Sequence, residues 1–406
     1  MFVILLYYSC ILYEGKMFKY ATSIFAAMLL FCAQAQAFPK QTSSIAIDIN
    51  TGEIISSESP DIVMHPASLT KLMTLYLTFE ALEKGKLKMS TPLKVSRTAA
   101  SRSPSKLDVR PGETITVENA VKAVIVKSAN DCATVLAEAL AKDEREFAKL
   151  MTAKAKKLGM KKTVFKNASG LNHSEQVTTA RDMAILGSAV YHHFPKYYKL
   201  FSMRTFKYKG KTIYTHNHVL KGFKGADGMK TGYLAAAGYN IVTSAERNGS
   251  RILAVTLGHK SIKDRDTKVM QMMDKGLKKM ALNTKAPNKV LAKSELPIAK
   301  IKETKPSEPF KITAKNGLWG VQIGAFSNYA KARSYAFSLK QKIPEIKAFP
   351  IDVEAVEKDM AVMYRSRIVN FAKKDAQELC NRLKKENKSC IVVKANKLSQ
   401  LTMAEK

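Results

Sequence analysis

The apolar positions of this chain change period several times, and each change predicts an element. SSIAIDINTGEIISS (residues 43–57) alternates apolar and polar positions around Asn50-Thr51-Gly52, which predicts a β-hairpin. Leu69, Leu72, Met73, Tyr76 and Phe79 recur at helical spacing on one face, widened by Leu75 and Leu82. Pro66 stands where the first turn of that helix tolerates it. VENAVKAVIVKSANDCATVLAEAL (117–140) is helical around a short break, and TARDMAILGSAVYHHF (179–194) begins another helix. GYNIVTSAERNGSRILAVTLG (238–258) predicts a second hairpin, turning at Arg247-Asn248-Gly249. Residues 38–283 therefore read as one mixed α and β unit.

A composition shift follows. Residues 284–316 are rich in Lys and Pro and lack a sustained apolar period, as expected of an extended, self-repelling linker. Beyond it, WGVQIGAF, YAKARSYAFSLKQKI, IDVEAVEK, MYRSRIVNF, KKDAQELCNRLKKEN and SCIVVKA read as strand, helix, strand, strand, helix, strand. Residues 317–406 thus form a small unit of split βαβ type. In its first strand, alternation puts Val321, Ile323 and Ala325 on one face. Gln322, Gly320, Gly324 and Phe326 fall on the other. Arg365 and Arg367 share a face of another strand.

The N-terminus belongs to neither unit. MFKYATSIFAAMLLFCAQAQA (17–37) has a short basic start, an apolar stretch and the small-residue end Ala35-Gln36-Ala37. It reads as a secretory signal cleaved before Phe38, so residues 1–37 are assigned to export, with Met17 a better start than Met1. Bulky Phe31 before Cys32 argues against a lipoprotein. Export removes two of the five cysteines. Of the rest, Cys132 sits in an apolar helix as a buried thiol, and Cys380 and Cys390 could pair. The net charge of +33 calls for an anionic partner or serves solubility. In an exported protein, envelope polymers or membrane headgroups suit that charge better than nucleic acid.

The candidate chemistry begins at HPASLTKLMT (65–74). Residues i and i+3 of a helix are neighbours, so Ser68 and Lys71 can touch, and a hydroxyl beside an amine can be an activated nucleophile. Ser128-Ala129-Asn130 lies at the helix break, and Lys230-Thr231-Gly232 leads into the second hairpin. Each triplet alone is common. In the order S-x-x-K, S-x-N, K-T-G they match the motif set of serine penicillin-binding proteins and β-lactamases.

With PASLTKLMT, KSANDCATVLAE, FKNASGLNHSEQVTTARDMAIL, DGMKTGY and LGHKSIKDRD, residues 42–280 resemble the D-alanyl-D-alanine carboxypeptidases of the DacA type, low-molecular-mass penicillin-binding proteins. The C-terminal unit is similar to a SPOR domain, a peptidoglycan-binding module. The resemblance implies an α+β fold: a β-lactamase/transpeptidase-like catalytic domain, then a βαββαβ domain. Many relatives carry instead a β-rich second domain and an amphipathic anchor.

It also implies roles. Ser68 attacks the D-Ala–D-Ala carbonyl, and Lys71 takes its proton, for which the amine must be neutral. Burial and the nearby cation Lys230 would lower the pKa of Lys71. Ser128 relays a proton to the leaving amine, and Asn130 holds the substrate amide. Lys230, Thr231 and, by resemblance, Arg265 take the terminal carboxylate. Gly232 lets the substrate backbone approach, and the N–H groups of Ser68 and Tyr233 form the oxyanion hole. On the SPOR-like unit, Gln322, Ser327, Arg365 and Arg367 are candidates for denuded glycan strands.

Other assignments are weaker. Ser68 and Asn130 could be caps, Lys71 a surface amine, and Arg265 part of a solvated basic run. His65, His173 and His216 have no visible partner and are not assigned as bases. No His/Cys/carboxylate spacing suggests a metal, and no cofactor is implied. A β-lactamase would share the acylation chemistry, but Glu146 and Glu175 lack the context of a deacylating glutamate, so β-lactams are expected to inhibit. An endopeptidase uses the same site. A βαββαβ fold also occurs in RNA-recognition modules, yet the face of Gln322 and glycines with one aromatic suits a sugar chain, and export favours glycan.

Overall fold

The first hairpin forms as its alternation predicts. β1 (Ser43–Asp48) and β2 (Ile54–Glu58) pair antiparallel, and Asp48 Oδ1 accepts the backbone N–H groups of Asn50 and Thr51 in the turn. The computed structural model describes residues 41–285, 318–326, 329–358, 361–386 and 388–394. The signal segment, residues 286–317 of the linker region and Ser327 lie outside them.

A single 3₁₀ turn, Ala67–Thr70, runs directly into α1 (Lys71–Glu83). The expected one-faced helix is in fact buried on nearly every side, because neighbouring elements cover its polar positions as well. Thr74 and Thr78 are tolerated there because their hydroxyls donate to the carbonyls of Ala168 and Thr74, at 2.6 and 2.8 Å. Phe79 stacks on Tyr197 with ring centroids 5.0 Å apart and meets Phe194 and Phe201 edge-on, which fixes the axial position of the helix.

β3 (Pro92–Lys94) and β4 (Thr114–Thr116) form a short ribbon before α2 (Val117–Val126) and α3 (Asn130–Leu140), the two helices expected around a break. α4 (Glu144–Leu158) and α5 (Ala180–His193) complete the helical layer, and β5 (Thr205–Tyr208) and β6 (Lys211–Tyr214) form a second ribbon. β7 (Ala226–Leu234), β8 (Gly238–Arg247) and β9 (Ser250–His259) then join the first hairpin. The result is a five-stranded antiparallel sheet of order β2-β1-β9-β8-β7.

Period-2 alternation sorts the sheet's side chains between two cores. Ile45, Ile47, Val242, Leu253, Val255 and Leu257 join the core of α1–α5. Ala46, Ile241, Ala245, Ile252 and Ala254 face a last helix, α6 (Ile262–Lys285), through Val269, Met273 and Leu277. That helix continues two residues into the stretch read as linker, although its buried apolar face ends at Met280. Among the described residues, no helix is long and apolar enough to cross a membrane.

The C-terminal unit has the expected order: β10 (Trp319–Phe326), α7 (Tyr329–Lys342), β11 (Ile351–Lys358), β12 (Ala361–Phe371), α8 (Lys373–Lys385) and β13 (Ile391–Lys394). Its sheet order is β11-β12-β10-β13. Val321, Ile323 and Ile368 pack with Ala336 and Leu339 of α7 and Leu379 and Leu383 of α8. Cys380 and Cys390 are joined in a disulfide.

Candidate active site

Ser68 lies in the 3₁₀ turn, and the preceding residue, Ala67, takes a left-handed φ of 49°. Gly170 (φ 85°) backs that turn so closely that a Cβ there would lie 1.9 Å from the Ala67 carbonyl oxygen. Lys71 follows one turn later and is fully buried. Its Nζ lies 2.9 Å from Ser68 Oγ, 2.7 Å from Asn130 Oδ1 and 2.5 Å from the Ser169 carbonyl oxygen.

These three neighbours accommodate either protonation state, since an ammonium would donate to all three and a neutral amine to two. The Asn130 oxygen and the Ser169 carbonyl can only accept, whereas a hydroxyl can also donate. A neutral amine has two N–H groups for the first two and one lone pair left for the Ser68 O–H. An ammonium would have no lone pair to offer. Burial first, and the Lys230 cation second, push the Lys71 pKa well below its usual value, while Asp131 and Glu144 act the other way. The surface-amine reading of Lys71 does not survive its burial.

The Ser128-Ala129-Asn130 triplet occupies the break between α2 and α3. Ser128 is left-handed (φ 59°) and buried, and its hydroxyl has no hydrogen-bond partner among the described residues. Asn130 already has protein partners. Its Oδ1 serves Lys71, its Nδ2 donates to the Ser103 carbonyl at 3.1 Å, and its backbone N–H donates to Ser105 at 2.6 Å, so protein groups occupy both ends of the amide. Beside it, buried Asp131 accepts the backbone N–H groups of Leu107, Asp108 and Cys132. That carboxylate clamps the loop that supplies the Asn130 acceptors. The sequence shows no role for Asp131, Glu144 or residues 168–170: Asp131 and 168–170 stand inside the quoted stretches without a motif of their own, and Glu144 lies outside them.

Lys230-Thr231-Gly232 lies on β7, the edge strand. Lys230 is buried, donates to the Thr231 carbonyl at 2.8 Å, and is pushed down to about 7 by burial and then by Arg265. What crowds Gly232 is the nucleophile's own turn, since a Cβ there would meet Ser68 N at 3.0 Å and Leu69 N at 3.1 Å. Tyr233 remains 47% exposed and packs on Tyr239, with ring centroids 4.3 Å apart. Arg265, from α6, is buried rather than part of a solvated run, and it pairs with Asp266 at 2.7 Å.

The histidines stay outside this constellation in direct contact terms. His65 bonds the Gln176 carbonyl and His173 accepts from Glu175 N–H, while burial and Lys230 push the His216 pKa down. Glu146 and Glu175 are occupied by Lys149 and Lys166 at 2.7 and 2.9 Å. Among the described residues no cluster of His, Cys, Asp or Glu could hold a metal ion. Cys132 is a buried free thiol, its pKa raised by burial.

On the C-terminal sheet, Gln322 stands opposite Arg367, and Arg365 lies two positions along the same strand, so these three share a face. Arg367 is nearly buried and ion-paired with Glu354, to which Arg365 also comes within 3.6 Å. The expected alternation fails beyond Gln322. A register shift between Gln322 and Gly324 leaves Ala325 exposed, and Phe326 packs with Ala332, Val353 and Tyr364 instead of joining the Gln322 face. Ser327 lies outside the described residues.

A serine at the start of a buried helix, with a buried lysine of lowered pKa beneath it and a lysine-bearing edge strand alongside, defines an acyl-serine hydrolase of penicillin-binding-protein architecture. Residues 33–261 match the family model for D-alanyl-D-alanine carboxypeptidase, and residues 315–394 match the SPOR domain. D-alanyl-D-alanine carboxypeptidase DacF of Bacillus subtilis is 34% identical over 282 residues, covering 68% of this chain and 72% of that protein. Penicillin binding protein 5 from Haemophilus influenzae superposes with a TM-score of 0.55 at 32% identity, over 58% of this chain and 72% of that one. Penicillin-binding protein D2 from Listeria monocytogenes, in its ampicillin-bound form, gives 0.53 at 32% identity, over 60% and 99%. The chain belongs to the D-alanyl-D-alanine carboxypeptidase family of serine peptidases and carries a C-terminal SPOR domain. Arg265 falls just beyond the matched residues.

Proposed function

We propose that the protein removes the terminal D-alanine from peptidoglycan stem pentapeptides through an acyl-enzyme on Ser68. The contact between Lys71 Nζ and Ser68 Oγ at 2.9 Å carries this reading: the amine is fully buried and its pKa is lowered by burial and Lys230, and in its neutral form Asn130 and Ser169 take its two N–H groups and the lone pair faces the hydroxyl. Lys71 withdraws the serine proton as Oγ bonds to the scissile carbonyl, and the oxyanion draws on the backbone N–H groups of Ser68 and Tyr233. The unpartnered Ser128 hydroxyl passes a proton to the departing D-alanine nitrogen. Lys230, Thr231 and Arg265 take the terminal carboxylate, an anion that would offset the mutual repulsion of those two buried cations. Water then hydrolyses the ester.

β-Lactams mimic the scissile amide and acylate the same serine. No free carboxylate among Glu146 and Glu175 favours their hydrolysis, so they act as inhibitors. The enzyme works in the periplasm after export, its basic surface suited to the anionic envelope. Its SPOR domain holds it on denuded glycan strands, enriched at the division site, using the Gln322, Arg365 and Arg367 face with Ser327 at its edge. Residues 38–283 carry the chemistry, and residues 317–406 the targeting.

The test is release of D-alanine from a soluble pentapeptide. Ser68→Ala is expected to lose it with little change in thermal unfolding, and persistent release would refute the assignment. For targeting, the full chain is expected to bind amidase-stripped wall better than intact wall, with Gln322→Ala weakening the preference. Equal binding to both walls, abolished by moderate salt, would make charge the whole explanation.

A further inference from the structure

Glu144 is a buried carboxylate for which acyl transfer, as described, has no task. It is the first residue of α4, and its oxygens reach three separate segments. Oε1 accepts the backbone N–H of Ala168 at 3.0 Å and the Thr134 hydroxyl at 3.3 Å, and Oε2 pairs with the Arg102 guanidinium. Each segment leads to Lys71. Ala168 precedes Ser169, whose carbonyl takes one Lys71 N–H. Arg102 precedes Ser103 and Ser105, whose carbonyls hold the side chain and backbone of Asn130. Asn130 Oδ1 takes the other Lys71 N–H, and Thr134 stands one turn further along the same helix.

We infer that Glu144 is a positioning residue for acylation: it fixes the Ser169 carbonyl and the Asn130 amide, the two acceptors that leave the Lys71 lone pair facing Ser68. The inference rests on the acyl-serine reading. The rival role, a base that activates water for deacylation, fits poorly because both oxygens are committed to fixed partners. The charge has a second consequence. The charged groups facing Lys71 are Lys230 on β7, Asp131 on α3 and Glu144 on α4, with Arg102 behind Glu144. Glu144 raises the Lys71 pKa against burial and Lys230, so removing its charge lowers that pKa further. The acid limb of acylation then moves to lower pH.

The experiment measures acylation by a fluorescent penicillin as a function of pH, and deacylation separately, in the full-length protein and in Glu144→Gln and Glu144→Ala. Both variants are expected to shift the acid limb to lower pH and to leave the deacylation rate unchanged. Glu144→Ala is expected to lose roughly 10–100-fold in plateau acylation rate, as a misplacement of about 1 Å does. Glu144→Gln, whose amide oxygen still accepts the Ala168 N–H, recovers most of that rate. An unmoved limb in both variants, an unchanged plateau in the alanine variant, or slowed deacylation alone overturns the inference. If the alanine variant does not fold, the limb of the glutamine variant decides. Wild-type protein that takes no label would instead overturn the acyl-serine reading itself, a distinct outcome.

Discussion

Gly170→Ala adds one methyl group behind the nucleophile, and its consequence can be worked out from the backbone. Gly170 has φ 85°, and an added Cβ would lie 1.9 Å from Ala67 O, 2.4 Å from Ala67 C and 2.9 Å from Ser68 N. Real Cβ contacts do not fall below 3.0 Å, so one segment must retreat by about 1 Å. Both candidates are backbone: the turn bearing Ser68, or the loop whose Ser169 carbonyl holds Lys71. A left-handed alanine costs about 1–2 kcal/mol, and overpacking typically adds about 1–3 kcal/mol. The sum, about 2–5 kcal/mol, lowers Tm by roughly 5–15 °C in a unit of this size. The displacement should slow acylation about 10²-fold. Thermal unfolding and stopped-flow labelling with a fluorescent penicillin measure the two effects. Gly112→Ala is the control, because Gly112 has φ 86° with nothing within 4 Å. It carries the left-handed cost alone and leaves acylation unchanged. A Gly170→Ala protein that acylates within about 2-fold of wild type would refute the claim that this contact sets the position of Ser68.

Lys71→Arg puts a permanent cation in place of the amine and offers no lone pair at working pH, so acylation falls about 10²–10⁴-fold, the share general-base catalysis supplies; an active arginine variant would mean another base. Folded Lys230 titrates near 7 rather than 10.5, so between those values the unfolded chain binds more protons and stability rises with pH; urea unfolding at the two ends of that window is expected to show the rise, and Lys230→Met to flatten it. Joining Cys380 to Cys390 across a separation of 10 residues stabilises the C-terminal unit by about 3 kcal/mol, so Cys380→Ser with Cys390→Ser lowers that unit's stability while penicillin labelling stays unchanged.

Much of this architecture was legible because local pattern and tertiary role agree. The hairpin turns at Gly52 and at Asn248-Gly249 fall where the alternation breaks, and β1 and β9 divide their side chains between two cores by period 2 alone. The three motifs located Ser68, Lys71, Asn130 and Lys230, which the fold gathers from three distant stretches. What stayed hidden depends on contacts far apart in sequence. Arg265 reads as a solvated charge until α6 is packed on the sheet, and Glu144 carries no signal at all until Ala168 and Arg102 arrive beside it. At Gly232 the structure adds a close approach that the strand's own sequence does not show, since a Cβ there would meet Ser68 N at 3.0 Å. In β10, the register shift after Gln322 breaks the period on which the faces of Ala325 and Phe326 were assigned.

The central claim is that Ser68 carries the acyl group. Incubating the full-length protein with a penicillin, digesting it and mapping the adduct by mass spectrometry tests that directly. The account predicts one adduct, on the peptide containing Ser68, absent in Ser68→Ala and strongly reduced in Lys71→Arg. An adduct on Ser128 or elsewhere, or one that survives Ser68→Ala, would contradict it.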